Sequence, residues 1–230
     1  MKHIGNLEIT EKNANLYGGL IEVTGCLLFY GSAKLDALQT VGGDLQVYGS
    51  AKLDALQTVG GYLHVYGSAK LDAPALQTVG GDLQVDSSAK LDALQTVGGD
   101  LQVDSSAKLD ALQTVGGDLQ VDSSAKLDAP ALQTVGGDLQ VDSSAKLDAP
   151  ALQTVGGEDV SGGKIKFAKT PVWTAICTPN MLRIGCQSHA WDDWIEMSDE
   201  EISKLDYRAS EIAKKYRAKL LAIREELRGK

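Results

Sequence analysis

The chain has 230 residues, a net charge of -9 and only 5% aromatic residues. No apolar run approaches the ~20 residues of a membrane-spanning helix, and the start, Met1 to Gly19, lacks the apolar middle of a secretory signal. Three cysteines, Cys26, Cys177 and Cys186, are too few and too odd a set for a disulfide scaffold, so a cytoplasmic protein is expected.

The charge is unevenly placed. From Gly31 to Gly157 there are 7 lysines and 16 aspartates, which accounts for all of the -9; the rest of the chain carries 15 basic and 15 acidic residues. A segment so acidic is not expected to bind nucleic acid or anionic lipid directly. It suits a partner with a basic surface, cations, or plain solubility.

In chain order, residues 1–30 read as an N-terminal cap with degenerate coils, including "IGNLEI" from Ile4 and "VTGCLLFYGSAK" from Val23. Residues 31–157 are a near-perfect tandem repeat. The signature "VGG" returns at Val41, Val59, Val79, Val97, Val115, Val135 and Val155, at spacings of 18 or 20 residues, and the longer units carry the insert in "LDAPALQ". Each unit offers few large apolar positions, as at Leu35, Leu38, Val41, Leu45 and Val47. One unit cannot bury them alone, so successive units must stack. "DLQV" alternates polar and apolar like a strand with one buried face. The pattern predicts a mostly β chain: a β-solenoid of about eight or nine coils. Its glycine pairs should sit at tight corners, and the Pro of "DAPA" should mark a corner where two inserted residues bulge outward.

The pattern L-x-x-L-x-x-V-x-G-x-L-x-V resembles the receptor L-domain type of leucine-rich solenoid, with one more residue between Val and Leu. It lacks the Asn or Cys ladder of ordinary leucine-rich repeats. The resemblance covers roughly Ile4 to Gly157 and implies a fold, not a function. The near-identity of the copies fits recent tandem duplication, as in phage or mobile-element proteins.

On the predicted strand, Asp82, Gln84 and Asp86 point outward together. The triplet returns at Asp100, Gln102 and Asp104, at Asp118, Gln120 and Asp122, and at Asp138, Gln140 and Asp142. Stacked, these make two columns of aspartate. At ~5 Å and an effective dielectric near 20, neighbouring charges repel by roughly 3 kcal/mol before screening. "AKLDA" places Lys34 beside Asp36, and such pairs should neutralise each other on another side of the coil. The acidic face reads either as a device against aggregation or as a nucleic-acid mimic; calcium binding is the weaker alternative. Towards the N-terminus the acids give way to Tyr48, Tyr62, His64 and Tyr66, with Cys26, Leu28 and Tyr30 before them. Such a patch suits an interface.

Residues 158–197 are expected to cap the solenoid, with a short helix in "SHAWDDWIEM" begun by Ser188. Residues 198–230 read as a long amphipathic helix opened by a capping box of Ser198 and Glu201. Its stripe, Ile202, Leu205, Ala209, Ile212, Tyr216, Leu220, Ile223 and Leu227, is close to a heptad seam. It fits packing along the chain's own body or pairing with a second copy, and the charged remaining surface favours a homodimer. Cys177, Cys186 and His189, with Asp192 or Asp193, are a candidate metal set, but buried structural cysteines are the expectation. No catalytic constellation stands outside the repeats, so neither an enzyme nor a cofactor is expected. The function expected is non-enzymatic binding: an acidic, tyrosine-bearing solenoid face that occupies the site of a basic nucleic-acid-binding protein. A structural spacer dimerised through the C-terminal helix is the alternative.

Overall fold

The computed structural model describes residues 1–86, 89–105, 107–122, 125–141, 145–159, 166–169, 174–177, 181–184, 187–196 and 207–228. The repeats wind into a parallel β-solenoid whose coils each contribute a short strand to three faces. One face stacks the Thr-Val strands, from Lys2–His3 through Thr40–Val41 to Thr154–Val155, and ends on the antiparallel strand Glu158–Asp159. A second, eight-stranded face stacks Leu7–Ile9, Leu27–Phe29 and the Leu-x-Val strands down to Leu139–Val141. The third carries the lysines and is divided into sheets of four and three strands.

The stacking is in register, so like residues sit above like. Leu63 pairs with Leu45 and Leu83, and Val65 with Val47 and Val85. All five predicted apolar positions of the unit, Leu35, Leu38, Val41, Leu45 and Val47, have no exposed surface. They join one continuous core with their counterparts in neighbouring coils. The first coil is closed by Asn13, whose side chain accepts the Thr10 N–H at 2.8 Å and donates to the Glu8 carbonyl at 2.9 Å. Beyond it a short 3-10 turn, Ala14–Tyr17, leads to the buried Leu20.

The glycine pair is demanded by proximity. A methyl built on Gly98 would overlap the Gly80 carbonyl, and one on Gly99 would overlap Asp82 Oδ1. Backbone passes over backbone at this corner, with Gly99 N–H donating to the Gly81 carbonyl at 3.0 Å. A left-handed backbone conformation is not what the stacked pairs supply, since only the last pair, Gly156 and Gly157, where the solenoid ends, has positive φ.

The two extra residues of the longer coil do not bulge at the proline. Asp72 stands in register with Lys52 on one side and Lys90 on the other, and Leu71 with Ala51 and Ala89. Ala73 therefore takes the place that Leu53 and Leu91 hold in shorter coils, and the Pro74 corner stays aligned with its neighbours. The surplus is absorbed earlier, in a turn closed by Ala69 N–H donating to the Tyr66 carbonyl at 2.8 Å, with Gly67 at φ +53°. Asp122 and Ala125 close the same turn in a later long coil at 2.9 Å. Stacking fixes the proline corner because core leucines flank it. The opposite corner opens to solvent and can hold more chain.

After the solenoid comes an antiparallel meander: Lys166–Lys169, Thr174–Cys177, Met181–Ile184 and Gln187–Ala190. Ser188 lies inside the last of these strands, opposite Arg183, and the short helix starts at Trp191 and runs to Glu196. Strand pairing already satisfies the backbone that a Ser188 cap was expected to serve. The long helix is described over Tyr207–Arg228 and packs on the first two meander strands. Arg224 donates to Asp192 at 2.8 Å, tying the two helices together. Ser198, Glu201, Ile202 and Leu205 lie outside the described residues.

Candidate functional site

The face of interest is the eight-stranded one with its two flanking corners. On it the sequence-predicted residues do align in columns: Gln46, His64, Gln84, Gln102, Gln120 and Gln140 stand in consecutive register. The two aspartate columns on either side of that line are held in different ways.

The column that follows the glycine pair is a backbone-capping ladder. Asp82 Oδ1 accepts the N–H of Asp100 at 2.9 Å, Asp100 Oδ1 that of Asp118 at 2.7 Å, and Asp118 Oδ1 that of Asp138 at 2.7 Å. The second glycine of each pair leaves the room this carboxylate needs. The ladder begins with other residue types: Asn6 Oδ1 accepts the Cys26 N–H at 2.9 Å, Cys26 Sγ accepts that of Asp44 at 3.5 Å, and Asp44 Oδ1 that of Tyr62 at 3.1 Å. An Asn and a Cys thus open a ladder that aspartate continues, where the sequence pattern had shown none. Asp82, Asp100 and Asp118 are nevertheless exposed.

The second column is half-buried and leans on the glutamines. Gln84 donates to Asp86 at 3.0 Å, Gln102 to Asp104 at 3.2 Å and to Asp122 at 3.1 Å, and Gln120 to Asp122 at 2.9 Å. Partial burial disfavours the Asp86 charge, but the Gly67 N–H, the His64 ring and the Gln84 amide outweigh it and hold its pKa below the usual value. At Asp104 the balance reverses. Burial, with a shared hydrogen bond and like charge from Asp122, raises its pKa despite the Gln102 amide. Asp142 lies outside the described residues.

Upstream the same column becomes aromatic. Tyr30 stacks on Tyr48 at 4.9 Å between ring centroids, Tyr48 on Tyr66 at 4.3 Å, and His64 on Tyr66 at 3.4 Å. His64 also reaches Asp86 at 3.2 Å, joining the aromatic stretch to the acidic one. Gln46 receives the Tyr48 hydroxyl at 2.7 Å and donates to the Tyr62 hydroxyl. Burial, reinforced by Tyr48, pushes the Tyr66 phenol up to about 12. Tyr48 is 42% exposed; Tyr30, Tyr62, His64 and Tyr66 are half-buried.

No protein-family model, curated protein or solved structure matches this chain. Its chemistry is therefore read from its own surface.

The third face shows the expected Lys-Asp pairs, as Lys34 with Asp36 at 2.8 Å and Lys108 with Asp110 at 2.8 Å. Being exposed and screened by water, each adds little to stability. In the long coils the pair moves along the strand, so Lys70 lies over Ser50 and Asp72 over Lys52. The sequence had suggested unbroken columns.

In the C-terminal helix, Leu220 and Leu227 are buried and Ile223 is half-buried within the chain itself. Ala209, Ile212 and Tyr216 lie on the same helix. Of the candidate metal set, Cys177 is buried, His189 lies on the last meander strand beside Leu182, Asp192 and Asp193 are on the short helix, and Cys186 is outside the described residues. Among the described residues no three such groups gather as a metal site, and no helix is long and apolar enough to cross a membrane.

Proposed function

We propose that this chain is a non-enzymatic binding protein whose acidic, tyrosine-bearing face imitates a nucleic-acid backbone and occupies a basic nucleic-acid-binding protein. The observation that carries this reading is the capped column Asp82, Asp100, Asp118 and Asp138. One oxygen of each of the first three is tied to the next coil, so an exposed carboxylate keeps a fixed bearing. Pre-organised charge costs a partner little ordering on contact. Two columns repeating every ~4.8 Å give one charge per ~2.4 Å, beside one per ~1.7 Å in duplex DNA. Tyr48, Tyr62, His64 and Tyr66 supply anchors of the kind that dominate interfaces. The reading extends to a receptor L-domain-like, leucine-rich solenoid encoded by a phage and directed at a bacterial defence protein, acting in the cytoplasm.

The test uses Asp→Asn changes at Asp82, Asp100, Asp118 and Asp138, which keep the accepting oxygen and remove the charge. Wild-type chain should capture a basic nucleic-acid-binding protein that duplex DNA displaces and high salt releases, and the Asn variant should not. Equal capture by both would overturn the mimicry.

A spacer dimerised through its C-terminal helix is the second reading, favoured by the uniform register from coil to coil. Removing two internal coils separates the two: a spacer changes only its reach, whereas a charge mimic loses affinity in steps.

A further inference from the structure

The register shift of the first long coil creates an arrangement found once among the described residues of the repeat array. Asp72 is flanked in register by Lys52 and Lys90. The corresponding Asp128 has Lys108 on one side and Asp148 on the other. Around Asp72 opens a shallow groove of about 420 Å³, lined by Lys52, Lys70, Asp72 and Lys90, with the buried Ala51 and Leu71 beneath it and the half-buried Ala89 at its edge.

Its charges are only partly satisfied within the chain. Asp72 Oδ1 is buried and has no hydrogen-bond partner. Lys52 and Lys90 turn to aspartates of their own coils, Asp54 at 3.7 Å and Asp92 at 3.7 Å. Lys70 forms no ion pair among the described residues. A buried carboxylate oxygen without a donor is costly, and a donor supplied from outside relieves that cost. The lysines at the rim call for an anion.

We propose that this groove binds a small anion that also carries a hydroxyl group, such as a phosphorylated or carboxylated polyol. The hydroxyl donates to the Asp72 carboxylate, the anionic group sits at Lys70 with Lys52 and Lys90 beside it, and the carbon skeleton lies along the lysine stems and Ala89. The site is independent of the acidic face, which lies on another side of the coil.

The test titrates the full chain with glycerol 3-phosphate, glycerate, glycerol and sulfate, following the backbone amides by NMR. At least one hydroxylated anion should give saturable shifts at Lys70 to Asp72; whether the phosphate or the carboxylate binds better identifies the source. Glycerol and sulfate should not saturate at the same concentrations. Asp72→Ala and Lys70→Gln should each weaken binding by about tenfold or more, and Asp128→Ala should leave it unchanged. Lys70 is exposed and Asp72 half-buried, and unchanged melting temperatures would verify that the variants fold. Absence of saturable shifts with either hydroxylated anion, equal shifts with sulfate, or insensitivity to both substitutions would overturn the proposal.

Discussion

Asp100 Oδ1 accepts the backbone N–H of Asp118 at 2.7 Å, one coil further along the axis. Asp100→Ala removes that acceptor and should cost on the order of 1 kcal/mol. Asp100→Asn keeps it and relieves like-charge repulsion, so stability should hold or rise slightly. Urea unfolding decides: the midpoint should fall for Ala only, with the slope unchanged.

The glycine beside it should be equally specific. Gly98→Ala forces a methyl against the Gly80 carbonyl, and Gly99→Ala against Asp82 Oδ1. Overpacking of this sort costs roughly 1–3 kcal/mol. Backbone cannot swing aside but a side chain can, so Gly98→Ala should be the worse of the two. The Gly99→Ala penalty should shrink in an Asp82→Ala background, a coupling that a double-mutant cycle reads directly.

The tyrosine stack predicts a late titration. Neutral Tyr66 is favoured by the fold, with its pKa pushed up to about 12 from an ordinary 10.0. Its contribution to stability is therefore full below pH 10 and fades as pH rises from there towards 12. Absorbance near the tyrosinate band should show one phenol lagging the rest. Tyr48→Ala, which removes the ring between Tyr30 and Tyr66, should bring that phenol down. It should also cost roughly 1–2 kcal/mol from two lost stacking contacts.

The half-buried carboxylates should separate in acid. Asp104 is raised, so its contribution is present below the ordinary 3.8 and declines as pH climbs through its folded pKa. Asp86 is lowered, so its contribution is present above 3.8 and is lost as pH falls through its folded value. Carboxyl NMR should place Asp104 above Asp86. Asp122→Asn removes the like charge beside Asp104 and should move Asp104 down while Asp86 stays. An unmoved Asp104 would assign its shift to burial alone.

The solenoid could be read from the period, because in-register stacking makes each repeated apolar residue a core residue. Leu35, Leu38, Val41, Leu45 and Val47 are buried as the spacing required. The columns of Asp, Gln and Tyr followed from the same alternation. Other features depend on contacts between coils that a linear pattern does not display. The carboxylate of Asp82 serves a residue 18 positions away, and its partner is a backbone group of no particular side chain. The insert carries a visible proline, yet the surplus leaves at Tyr66 to Ala69, because the alignment of Leu76 with its stacked neighbours decides where slack is permitted. In the C-terminal part, Ser188 in "SHAWDD" has the local chemistry of a helix start. The meander overrides it by offering a neighbouring strand.

The caps all run one way. In each capped step of the Asp82 column the earlier coil holds the acceptor and the later coil brings the N–H, from Asn6 and Cys26 to Asp118 and Asp138. A finished coil thus already carries an acceptor aimed at the backbone of its successor. A chain synthesised from its N-terminus meets these acceptors in the order in which they can be used.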